Sequence, residues 1–167
     1  MMKKALCAAM AAVLCLSLLA ACGGKPAEEK KVDLAAFAQT VQENHEFASL
    51  EKADPADGEL GAIMLDNNYP GLKDMDLEQV EVYLPLISFS GGGLALVQAK
   101  SAEDAAKVKE IFQARIDSKS TEGPGNYPDE VEMWQRSAKV ADSGAYVMLV
   151  CHGDADAIDS EFEALFQ

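Results

Sequence analysis

The amino-acid sequence predicts an α+β domain. It has one N-terminal helix, then two ββα units, giving a four-stranded, mainly antiparallel sheet with helices on one face. Three observations lead there. Two pairs of strand-length apolar runs are each joined by a glycine-containing turn: Val80 to Leu86 with Leu94 to Ala99, and Arg136 to Ala141 with Tyr146 to Cys151. Each pair is followed by a helix-start signal and a 3.6-residue apolar period. A hairpin must bury its apolar face, and the helix after it is the nearest cover.

Taken in order, Asp33 caps a first helix whose apolar positions are Leu34, Phe37, Ala38, Val41 and Ala48. Ala53-Asp54-Pro55 ends it, since the residue before proline is pushed out of the α region. Leu60 to Leu65 allows one or two helical turns, and Asp66 to Glu78 is acidic and turn-rich around Gly71. Val80, Val82, Leu84 and Leu86 alternate as a strand, with Pro85 marking an edge or a bulge. Ser90-Gly91-Gly92-Gly93 turns the chain into Leu94 to Ala99. Ser101 and Asp104 have capping-box spacing, and the helix they open buries Ala105, Val108, Ile111, Phe112 and Ile116. Ser118 to Asp129 reads as an irregular link around Gly123-Pro124-Gly125. The second hairpin turns at Asp142-Ser143-Gly144, and Asp154 caps a last helix with Ala155, Ile158, Phe162, Leu165 and Phe166 inward.

This domain, 33–167, follows an address and a tether. Lys3 and Lys4 precede an uncharged run from Ala5 to Leu19, and Leu19-Ala20-Ala21-Cys22 has the form of a lipobox. The run is shorter than the ~20 apolar residues of a membrane-spanning helix. Residues 1–21 therefore read as a lipoprotein signal peptide, and Cys22 as the lipidated first residue of the mature chain. Two or three acyl chains, at ~0.8 kcal/mol per buried methylene, give stable anchoring. The polar stretch from Gly23 to Val32 is a flexible tether. The expected location is the extracytoplasmic face of the cell membrane, with the lipid on Cys22 as the membrane contact.

From Cys22 onward the chain carries 12 basic and 28 acidic residues, a net charge of −16. Such a surface repels phosphate backbones, which excludes nucleic acid as a partner, and it repels anionic headgroups too. Cys7 and Cys15 leave with the address and Cys22 is acylated, so Cys151 stands alone without an intrachain disulfide.

Several short motifs in order resemble the domain-of-unknown-function DUF4358 family of bacterial lipoproteins. They are Tyr69-Pro-Gly71, Leu77-Glu-Gln-Val80, Tyr83-Leu-Pro85, Leu94 to Lys100, Tyr127-Pro128 and Gly144-Ala-Tyr146-Val147. The resemblance covers the chain from about Val32 onward and implies a lipoprotein domain without an assigned activity. The family pattern has an acidic residue just before the second strand, where this chain has Gly92-Gly93.

Several residue groups are candidates for chemistry. Cys151 and His152 suggest a nucleophile and a base, but neighbours on a strand point to opposite faces, so only His45 could serve the thiol. Gly91, Gly92 and Gly93 leave backbone amides open to a ligand, without the pattern of a nucleophile elbow or a phosphate loop. Asp66, Asn68 and Asp74 fall at calcium-loop positions, but Pro70 and the late Glu78 break the pattern, so no metal is assigned. Tyr127 and Trp134 flank the long link as candidate contact aromatics. No cofactor signature appears. The sequence thus favours a non-catalytic binding module for an envelope protein or a small ligand. A small envelope hydrolase and a cation-binding sensor are the alternatives.

Lipid anchoring gives the first test. Cys22→Ala should release the protein from the membrane fraction or leave an uncleaved precursor on fractionation and gel mobility. Processing and retention like wild type would remove the lipobox reading.

Overall fold

The computed structural model describes residues 31–86, 92–121 and 127–167. The address, Cys22, most of the tether, Gly91 and the middle of the 118–129 link lie outside these residues. Val32–Gln167 forms one compact unit. Among the described residues no helix is long and apolar enough to cross a membrane.

The elements run α1 (Leu34–Asn44), β1 (Leu50–Lys52), α2 (Glu59–Asn68), β2 (Leu77–Pro85), β3 (Gly93–Ala99), α3 (Ala102–Thr121), α4 (Pro128–Ser137), β4 (Ala138–Ser143), β5 (Tyr146–Cys151) and α5 (Ala155–Ala164). Single 3₁₀ turns at Pro55–Asp57 and Leu72–Asp74 bracket α2. The class is α+β as expected. The sheet has five strands rather than four, in the order β1-β2-β3-β5-β4, and every neighbouring pair is antiparallel. The added strand, β1, pairs Leu50 with Pro85 and Lys52 with Tyr83. Three residues are too few to show a period.

The helices cover both faces, not one. β3 and β5 lie at the centre, with Leu94 opposite Val150 and Val97 opposite Val147. On one face Leu94, Leu96, Tyr146, Met148 and Val150 pack against Leu34, Phe37 and Val41 of α1 and against Ile158 and Phe162 of α5. On the other, Ala95, Val97, Val147, Leu149 and Cys151 pack against Val108 and Phe112 of α3, Trp134 of α4 and Leu65 of α2. Full burial of each such aliphatic or aromatic side chain contributes about 1.5–3 kcal/mol, so neither face can be left wet.

Local signals fix most boundaries. Asp33 accepts a hydrogen bond from the Ala36 amide at 3.0 Å and caps α1. Gln79 docks the start of that helix: its Oε1 accepts from the Leu34 amide at 3.0 Å and its Nε2 donates to the Val32 carbonyl at 2.8 Å. Val32, expected at the end of the tether, is consequently buried. The helix stops at Asn44 rather than reaching Ala48, and the chain becomes extended at His45. Ser101 caps α3, with Oγ accepting from the Asp104 amide at 3.1 Å and its hydroxyl donating to Asp104 Oδ2 at 2.8 Å.

The second half departs further from expectation. α3 runs on to Thr121, and the stretch expected to lead irregularly into a strand at Arg136 is instead α4. Pro128 supplies a preset φ in its first turn, Asp129 and Glu130 sit favourably at the positive end of its dipole, and Arg136 sits at the other end. β4 therefore begins at Ala138. The hairpin turn falls at Gly144, whose φ of 59° suits glycine.

Gly61 tests the packing of α2. A Cβ there would lie 1.9 Å from the Asp54 carbonyl oxygen. In an open helix Gly→Ala gains about 1 kcal/mol, whereas overpacking against backbone costs about 1–3 kcal/mol. Gly61→Ala should therefore lower the denaturant midpoint, and a raised midpoint would show that the Asp54 segment yields freely.

Candidate functional site

Three helices present residue pairs at i, i+4 spacing, which lie on one helix face. They are Met64 and Asn68 of α2, Arg115 and Lys119 of α3, and Glu130 and Trp134 of α4. Together with Leu84, Pro85 and Leu86 at the end of β2 and with Gly92, these pairs line a cavity of about 300 Å³. A second cavity, of about 570 Å³, shares Asn68 and Arg115 and adds Met75, Ile111 and Ala114.

Arg115 is the charged residue common to both. Its Nη2 donates to Asn68 Oδ1 at 2.6 Å, and its guanidinium carbon lies 5.5 Å from the Trp134 ring centre and 6.0 Å from that of Tyr69. Cation–π attraction of this kind strengthens as water is excluded. Arg115 Nε and Trp134 Nε1 are both buried and find no hydrogen-bond partner among the described residues. Buried donors are nearly always satisfied, and each one left unpaired costs about 1–3 kcal/mol. Lys119 Nζ lies 3.4 Å from Glu130 Oε1 in a largely buried ion pair. The cavity wall thus carries two cations and one anion, in a chain whose net charge is −14.

The sequence candidates divide. Gly92, with φ 88°, and Trp134 line the same cavity, although Trp134 is 3% exposed and is not the open contact aromatic expected. Gly93 is buried at the start of β3, and Tyr127 stands half-exposed at the head of α4; neither is on the cavity wall. Gly91 lies outside the described residues. Asn68, marked in the sequence only as a calcium-loop position, also lines the cavity, whereas Arg115, Lys119 and Glu130 carry no sequence motif. The signal was present in the i, i+4 spacing of charges on otherwise amphipathic stretches, but it becomes specific only once α4 is known to be a helix.

Asp66 and Asn68 belong to α2 instead of a loop. Asp66 pairs with Lys73 at 2.8 Å, Asn68 is taken by Arg115, and Asp74 sits in the following 3₁₀ turn. Lys73 occupies the Asp66 carboxylate and Arg115 occupies Asn68 Oδ1.

Cys151 and His152 point to opposite faces, as strand alternation requires. Cys151 is packed with Trp134 and Leu149, whereas His152 stacks on Phe47 with ring centres 4.4 Å apart. Burial pushes the Cys151 thiol up to about 12, against the lowering influence of the Gly92 amide and Arg115. His45 approaches His152, not the thiol, with ring centres 6.0 Å apart. Burial pulls the His45 pKa down, but hydrogen bonds to Asp154 and Glu161 outweigh it and leave the value above the ordinary one.

A family model described as Domain of unknown function (DUF4358) matches residues 53–152. No curated protein and no solved structure matches the chain.

A thiol with a pKa near 12 is almost wholly protonated at neutral pH, and only the thiolate attacks. The native protein with Cys22 blocked or replaced should therefore react with a water-soluble thiol reagent at pH 8 at least 100-fold more slowly than after denaturation. Equal rates would place Cys151 at an accessible, activated position.

Proposed function

The chain belongs to the DUF4358 family, and on that premise we propose that it is a non-catalytic binding module, lipid-anchored through Cys22 at the extracytoplasmic face of the membrane. Its ligand is a small molecule with an acceptor-bearing anionic head, of the carboxylate type, and an apolar body. One observation carries this reading. Two buried donors, Arg115 Nε and Trp134 Nε1, lack partners on side chains that line a single cavity. A carboxylate offers two oxygens to such donors, and charge-assisted bonds of this kind contribute about 1.5–3 kcal/mol each. Met75, Ile111 and Ala114 in the adjoining space suit an apolar body. The fit is electrostatic as well, since an acidic surface concentrates few anions and the selectivity must come from the local excess of Arg115 and Lys119. Burial of Cys151 weighs against a thiol nucleophile and hence against the hydrolase alternative.

Trp134 is the sole tryptophan, so its emission reports directly on the cavity. Titration of the full chain with octanoate should give a saturable emission change. Octanol, with the same carbon count and no charge, should bind at least 10-fold more weakly. Arg115→Met should weaken octanoate roughly 10- to 100-fold, the equivalent of one charge-assisted pair. Equal binding of acid and alcohol, or an unaffected Arg115→Met, would remove the anion-site reading.

A further inference from the structure

On the opposite face of the sheet from Arg115, one further group of side chains has the form of a built site. His45, His152 and Asp154 each place one potential ligand atom within 4.8 Å of the others. His45 Nδ1 lies 3.1 Å and His152 Nδ1 3.9 Å from the same oxygen, Asp154 Oδ2. Donors held about 2.0–2.1 Å from a tetrahedral ion are separated by about 3.4 Å, and these two distances bracket that edge.

The remaining ring nitrogens are already committed. His45 Nε2 lies 3.2 Å from Glu161 Oε1, and His152 Nε2 lies 3.0 Å from the Glu46 carbonyl oxygen. If each Nε2 donates its proton outward, each Nδ1 presents a lone pair to the space beside Asp154. A metal-bound histidine ordinarily has just this outer acceptor, a carboxylate or a backbone carbonyl, which fixes its tautomer and ring orientation. The two imidazoles are 10% and 15% exposed, so they are held in place, while Asp154 is 60% exposed and opens the group to solvent.

Asp154 supplies an independent indication. It stands at the N-cap of α5, where an aspartate ordinarily accepts from the helix amides, yet it makes no side-chain cap bond. Its carboxylate is turned to His45 instead. Its own amide donates to His152 Nδ1 at 3.0 Å, and a bound cation would replace that donor.

We propose that His45 Nδ1, His152 Nδ1 and Asp154 Oδ2 form a binding site for a divalent transition-metal ion of the zinc class. Two imidazole nitrogens and one carboxylate select such an ion over magnesium and calcium, which take oxygen ligands. Three protein donors leave a fourth tetrahedral position to water or to a partner's ligand. The site is independent of the anion cavity, with which it shares no residue. Only His152 of the three ligands falls within the stretch matched to the family.

The test is calorimetric titration of the full chain with Zn²⁺ in excess Mg²⁺, together with the visible spectrum of the Co²⁺ form. One ion per chain and the strong visible bands of four-coordinate Co²⁺ are expected. His45→Gln and His152→Gln should each weaken Zn²⁺ at least 100-fold. Because His152→Gln also removes packing on Phe47, Glu161→Gln provides an arm that leaves the ligands and that packing intact; it should weaken Zn²⁺ about 10-fold. Absence of one-to-one uptake, a six-coordinate Co²⁺ spectrum, or undiminished uptake in His45→Gln would overturn the proposal and leave His45 as an ion-paired strap between α1 and α5.

Discussion

The antiparallel pairing of β3 with β5 sets two strands without a polar face at the centre of the sheet, and the positions of the helices follow from it. Every residue of β5 is buried, and so is every residue of β3 except Gln98. A hairpin stacked under one helical layer would expose half of these side chains. The chain avoids this by sending α1 and α5 to one face and α3 and α4 to the other, which gives a three-layer arrangement around a thin sheet. Gln79 belongs to the same solution. It satisfies backbone groups at the start of α1 that would otherwise be stranded as that helix closes over the sheet.

Much of this was legible in the residues. Continuous apolar strands, such as Tyr146-Val-Met-Leu-Val-Cys151, signal burial on both faces, whereas alternation signals one wet face. The expectation of helices on one face rested on each hairpin burying a single apolar face under the helix after it, whereas β3 and β5 are buried on both faces. β1 was not legible, because its three residues are defined by pairing with β2 and not by any period of their own. α4 was obscured by composition. Trp134 is its single buried residue, and the polar remainder reads as a loop until Pro128 and the acids after it are recognised as a helix start.

The candidate cavity shows the same division. Gly92 was marked by its neighbouring glycines and Trp134 by being alone of its kind, and both reach the cavity wall. Arg115 carried no such mark. Its place between Tyr69 and Trp134 depends on α2, α3 and α4 meeting, which brings together residues far apart in sequence. Asp154 illustrates the converse. Its cap position was legible, and its side chain nonetheless serves a histidine more than 100 residues away, as the separation of 109 positions from His45 records. Local rules locate such a residue without revealing which of two uses its carboxylate serves.

The two outer strands have a further consequence for encounters between copies of the chain. An unpaired strand edge is a template on which another chain can add, and long, flat, apolar edges are where aggregation begins. Here one edge, β1, is only Leu50–Lys52, with Glu51 exposed at its middle. The other, β4, carries Lys139, ion-paired to Asp159 and Asp156, and Asp142, paired to Lys109 at 2.6 Å. An incoming strand would have to strip these charges of water and of their partners along its length. Edges of this kind let an encounter between two copies of the chain end without strand exchange.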